Sequence, residues 1–185
     1  MTQNNSDKPL DPLRKAQEDE YFVRQNRELA SKLKAKMALQ SSGVQDNALR
    51  EELTKAGFSS DTLSLLFLVP IVDVAWADRR MEDKEKKEIL HVAEQRGVSA
   101  GSTSAKILNR WLSENPQNDI DYVKCKKFVD VFLKEIEKNT PGAAGWVLDA
   151  ATAVANATGG VLGFGSRISA AESDALKALA SKFAK

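Results

Sequence analysis

One cysteine and one histidine occur among the 185 residues. Cys125 alone excludes an internal disulfide framework and a multi-thiolate zinc site, and His91 alone excludes any centre that needs two imidazoles. No excess of one charge sign is present: 27 Lys and Arg stand against 26 Asp and Glu, a formal net charge of +1. No local basic cluster stands out either, so neither nucleic acid nor an anionic membrane surface is expected as a partner. The most apolar stretch, LSLLFLVPIVDVAWA at 63–77, is shorter than the roughly 20 residues that span a bilayer and carries Pro70 and Asp73. The start, MTQNNSD, lacks a charged region followed by an apolar one, so no signal peptide is read and a cytoplasmic location is expected.

What is present, 42% hydrophobic and 29% charged residues, is enough for one sizeable core. Period-2 alternation is absent throughout, and the chain is read as all-α. Residues 1–11 are expected to form a flexible tail. Asp11 and Pro12 then open a long charged helix over 13–40, about 42 Å at 1.5 Å per residue, ended by a hinge at Ser41-Ser42-Gly43. Acidic Glu18, Asp19 and Glu20 precede basic Lys32, Lys34 and Lys36 along it, as the helix dipole favours. Its apolar residues are sparse: Tyr21 and Phe22, then Leu29, Leu33 and Met37 at i, i+4 and i+8. So narrow a seam on a long charged helix points to a protein partner or a second copy.

From 44 to 185 a compact domain of about seven helices is expected, at 46–56, 60–78, 83–96, 102–114, 119–138, 143–158 and 169–184. The 60–78 helix is the buried central one, with Pro70 inside it. Val74-Ala75-Trp76-Ala77-Asp78 followed by Met81 and Glu85 lines up with Val154-Ala155-Asn156-Ala157-Thr158 followed by Ile168 and Glu172. Each copy ends an apolar helix, drops one hydrophobic residue toward the core, and opens an amphipathic helix with glutamate near its start. Two pseudo-repeated helical hairpins that cover each other's apolar faces account for this pattern.

The run Leu68-Val69-Pro70-Ile71-Val72-Asp73-Val74-Ala75-Trp76-Ala77-Asp78, with Glu85 seven after Asp78, resembles the A-D-G-x-hydrophobic-x-x-x-E signature of TerB-like domains, named for a tellurite-resistance protein. The segment 157–172, ending Ser169-Ala170-Ala171-Glu172, looks like the matching second half in bacterial members. The resemblance spans about 60–183. It implies an all-helical, non-enzymatic domain of stress-associated proteins, with acidic residues that bind a divalent cation. Arg79 departs from the signature, where glycine is usual, and Thr158 stands where the second copy would need aspartate.

Asp78, Glu82, Asp83 and Glu85 form an acidic loop with two open readings. Converging carboxylates suit a hard cation, calcium or magnesium, with Asp78 and Glu85 the foremost ligands. Alternatively Glu82 and Glu85 cap the following helix, as Ser169 and Glu172 do in the equivalent place. Asp73, alone in an apolar helix, needs a partner, and Arg80 seven residues on shares its face. Cys125 lies among Lys124, Lys126 and Lys127, which would lower a thiolate pKa, but no base-bearing motif accompanies it. The Gly-rich loop 159–166 lacks the ending of a phosphate loop, and its apolar residues are expected to fold onto the core or, alternatively, to present a small exposed patch to a partner. Trp76, Trp111 and Trp146 are expected to anchor helix packing. No nucleophile with a base and no cofactor motif occurs, so a binding or scaffold role is expected. The alternative is an inhibitory or regulatory subunit acting through the N-terminal helix. Glu18-Asp19-Glu20-Tyr21-Phe22 with Glu28-Leu29 looks like the inhibitory helix of ATP-synthase inhibitor proteins.

Overall fold

The computed structural model describes residues 12–41, 43–157 and 168–183, with side chains omitted at Pro12, Leu13, Ala35 and Ala38. Expectations for the tail 1–11, for Ser42 in the hinge, for Thr158 and for the Gly-rich loop 159–166 lie outside the described residues. Among the described residues there are eight α-helices: α1 Pro12–Ser41, α2 Asn47–Lys55, α3 Leu65–Ala75, α4 Asp83–Gln95, α5 Thr103–Ser113, α6 Ile120–Asn139, α7 Ala143–Ala157 and α8 Ala170–Phe183. A short 3-10 turn, Pro116–Asn118, joins α5 to α6, and no strand occurs among the described residues.

Helix α3 sits in the middle, in contact with α4, α5, α6, α7 and α8. Every residue of it except Asp73 is buried. An all-round apolar helix is stable only when other helices cover each face. The apolar run predicts a helix from 60, but the α-helix begins at Leu65. Hydroxyl and carboxylate side chains take over the backbone before that point. Thr62 Oγ1 accepts from Ser59 N–H at 3.0 Å, and Asp61 Oδ2 accepts from Thr103 N–H at 2.9 Å, which ties the turn to the start of α5.

A second expectation is corrected in α3. Arg80 is exposed in the following loop and is not the partner of Asp73. Helix α6 supplies the partners instead: Tyr122 Oη donates to Asp73 Oδ1 at 2.7 Å, and Lys126 Nζ pairs with Oδ2. Past Ala75 the helix has ended, so the seven-residue spacing to Arg80 no longer describes one face. The tryptophans follow expectation. Trp76 Nε1 donates to the carbonyl of Trp111 at 2.9 Å, and fully buried Trp111 donates to Asp119 Oδ1 at 3.0 Å.

Helix α1 is attached differently. Among its described side chains only Leu39 is buried, and α2 is its main neighbour. Lys36 Nζ pairs with Glu51 Oε1 at 3.1 Å. Beyond Gly43, whose φ of +94° turns the chain, Glu135 Oε1 of α6 accepts from the N–H groups of Gln45 and Asp46 at 3.0 and 2.9 Å. The C-terminal end of α1 is thereby fixed to the domain.

Candidate functional site

The acidic loop is built by the end of α3 and the start of α4. Asp78 Oδ1 accepts from Arg80 N–H at 2.8 Å, an Asx turn. Arg79 between them has a φ of +67°, the left-handed region that favours glycine. Asp78, Glu82 and Asp83 are exposed, and Lys86 lies 3.7 Å from Asp83. Glu85 is different: it is buried, and its Oε2 accepts from Glu82 N–H at 2.7 Å, the reciprocal half of a capping box. At α8, Ser169 and Glu172 make the same exchange, at 2.7 Å from Ser169 N–H to Glu172 Oε2 and 3.1 Å from Glu172 N–H to Ser169 Oγ.

The two capping glutamates meet. Both are buried, and the Glu172 carboxyl lies close enough to that of Glu85 to act on its ionisation. A hydrogen bond between two carboxyl groups requires a proton, since two carboxylates offer only acceptors. Burial raises the Glu85 pKa from 4.5 to about 7, reinforced by the hydrogen bond and charge of Glu172 and by the charge of Asp78, while the Glu82 N–H opposes the shift. Met81 and Ile168, the residue preceding each cap, pack against the core. Of the proposed cation ligands, then, Asp78, Glu82 and Asp83 face solvent and Glu85 turns inward toward Glu172. Among the described residues no three histidine, cysteine or acidic side chains converge as a metal site.

The residues proposed for partner binding lie on α1. Tyr21, Phe22, Val23, Leu29, Leu33 and Met37 are each between 53% and 63% exposed. Six of the nine large apolar side chains exposed among the described residues thus sit on one helix; Ile120, Val123 and Val131 are the others. At 100° per residue, Phe22, Leu29 and Leu33 fall within 40° of one another, with Asn26 and Met37 beside them. Tyr21 lies off this line, its hydroxyl accepting from Gln25 Nε2 at 2.8 Å. Where α1 meets α2, the stripe borders a groove of about 350 Å³ lined by Leu29, Leu33, Lys32, Lys36, Glu51, Thr54 and Lys55.

One cluster escaped the sequence reading. The Arg96 guanidinium lies over the Trp146 ring at 3.5 Å and near the Phe67 ring at 4.6 Å. It edges a cleft of about 460 Å³ that also includes Ser60, Ser64 and Thr140. Arg96 follows α4 and Trp146 lies in α7, 50 positions later, so no local spacing signals the contact. Burial lowers the Arg96 pKa, and cation–π stacking compensates the partial loss of water. The remaining singled-out residues carry no chemistry here. Exposed His91 meets Gln95 on its own helix at 3.0 Å. Cys125 departs from the lowered thiol pKa weighed from its lysine neighbours: it is buried, and burial pushes its thiol up to about 12.

Comparison with protein-family models, with curated proteins and with solved structures finds no significant match to this chain.

Proposed function

We propose that this chain is a non-enzymatic, TerB-like helical interaction module that works by offering its N-terminal helix to a protein partner. The observation that carries this reading is the apolar stripe of α1. A helix with the core contact of Leu39 at one end and six exposed large apolar residues elsewhere gains little from its own domain. Contiguous exposed apolar surface of this kind marks interaction sites.

Two features of the globular part support the TerB-like component. The signature's glycine position, held here by Arg79, has a backbone conformation that glycine favours. The two stretches aligned as pseudo-repeats both end in capping glutamates, and those glutamates touch, as a pair of hairpins related by a pseudo-dyad would require. The reading rests on α1 and not on a bound cation.

Photocrosslinking tests it. A photoreactive amino acid at Phe22, Leu29 or Leu33 is expected to give covalent protein adducts in cells, whereas one at Glu20 or Arg27, on the opposite face, is expected to give few. Adducts that form equally from both faces, or from neither, would remove the docking role of α1.

A further inference from the structure

The geometry points to a second copy of this chain as the partner of α1, paired antiparallel along the stripe. The inference rests on the reading of α1 as a docking helix and names its occupant.

Asp19, Phe22, Asn26, Leu29, Leu33, Lys36 and Gln40 follow one another at alternating steps of three and four residues, the spacing of a coiled-coil seam. Phe22, Asn26, Leu29 and Leu33 form its middle, flanked by the acid Asp19 on one side and the base Lys36, before Gln40, on the other. When a second α1 is laid antiparallel with Phe22 against Leu33 of the second copy, the same register sets Asn26 against its Leu29 and Asp19 against its Lys36. Two-fold symmetry repeats each contact, so the seam holds two Phe22/Leu33 layers, two Asn26/Leu29 layers and an Asp19/Lys36 pair at either end. Val23, 59% exposed without a local reason, then falls beside Ala30 of the second copy.

Charge selects the orientation. The acidic residues 18–20 of each helix lie beside Lys32, Lys34 and Lys36 of the other in the antiparallel arrangement. A parallel pair would set Asp19 against Asp19 and Lys36 against Lys36, which repel. The domain also contributes. The groove between α1 and α2 adds Lys55 to Lys32 and Lys36, three lysines against the single acid Glu51, and its apolar wall is Leu29 and Leu33. Its lining therefore complements the acidic-aromatic segment Glu18-Asp19-Glu20-Tyr21-Phe22 that the second copy would place there. Lys36 is already held at this spot by Glu51 at 3.1 Å, so its ammonium is positioned before association. Asn26 opposite Leu29 sacrifices affinity, as a polar seam residue does, and limits alternative registers.

Sedimentation equilibrium of the full chain over a wide concentration range is the test, with circular dichroism as the folding control. The wild-type mass is expected to rise from 20.3 kDa toward twice that value. Leu29→Glu with Leu33→Glu is expected to hold it at the monomer value without changing helicity of the domain. Asp19→Lys alone, and Lys36→Asp alone, are each expected to weaken self-association about tenfold, since each reverses two symmetry-related pairs. An equimolar mixture of these two variants restores both pairs and is expected to associate as tightly as wild type. Asn26→Leu, which replaces the polar layer, is expected to tighten association.

A monomeric mass at every concentration would overturn the proposal, and so would a charge-reversed mixture no tighter than its components. Asp19→Lys leaving association unchanged would point to a parallel pair and equally sink it. If the chain is monomeric while photocrosslinks from Leu29 join a different protein, self-pairing fails and the docking role of α1 stands. If neither occurs, both fail.

Discussion

Glu85→Gln should change how stability depends on pH. In the native protein Glu85 is buried against Glu172 with Asp78 nearby, and its pKa is raised from 4.5 to about 7. A raised folded-state pKa means that the native state holds the proton more tightly than the unfolded chain. The stabilisation is therefore fully present below about pH 4.5 and is lost as pH rises through about 7. At 1.36 kcal/mol per pKa unit, the difference corresponds to about 3 kcal/mol between the two limits. Glutamine reproduces the protonated acid: its carbonyl accepts from Glu82 N–H and its amide donates to the Glu172 carboxylate, with no charge to remove. Urea unfolding at pH 5, 6, 7 and 8 reads the effect as the shift in midpoint at constant m. Wild type is expected to lose about 2–3 kcal/mol relative to Glu85→Gln across this range, the two proteins being closest at pH 5. Glu172→Gln should keep part of the wild-type pH response, because burial, the largest cause of the Glu85 shift, remains. Parallel pH profiles for wild type and Glu85→Gln would refute the raised pKa of Glu85, as would a side-chain carboxyl titration of Glu85 completed below pH 5.

Other substitutions probe separate parts of the structure. Arg79→Gly is expected to raise stability by about 1 kcal/mol in the same urea experiment, since an exposed L-residue at positive φ carries that order of strain; a neutral or destabilising result would contradict the strained turn. Asp73→Ala strips the Tyr122 hydroxyl and Lys126 of their acceptor and should cost about 1–3 kcal/mol, while Arg80→Ala should stay within about 0.5 kcal/mol. Equal effects would restore Arg80 as the partner. Cys125, buried and with its thiol pushed up to about 12, should react with an aromatic disulfide reagent at pH 8 about a hundredfold more slowly in the native protein than in urea. Rapid native labelling would place the thiol at the surface.

The features read correctly from sequence are those that local rules decide. The apolar run in α3 announced a buried helix because no solvent-facing pattern exists within it. Ser169-x-x-Glu172 announced a capping box because both halves lie within one turn. The stripe of α1 was legible for a related reason: its apolar residues are few and fall on one line of a long charged helix, a seam too narrow to draw the helix into a core. Failures occurred where residues far apart in the chain compete for one group. Arg80 is near Asp73 in sequence, yet Tyr122 and Lys126 reach the carboxylate because α6 packs along α3. Arg96 on Trp146 and Glu85 on Glu172 are pairings of the same kind. The last of these did leave a trace. If two segments are pseudo-repeats packed about a dyad and each begins a helix with a buried capping glutamate near that dyad, symmetry brings the two carboxyl groups together. Two adjoining carboxylates would repel, which raises the pKa of one of them. The pH response of this protein is thus implied by the aligned glutamates, once the alignment is taken as a statement about packing and not only about descent.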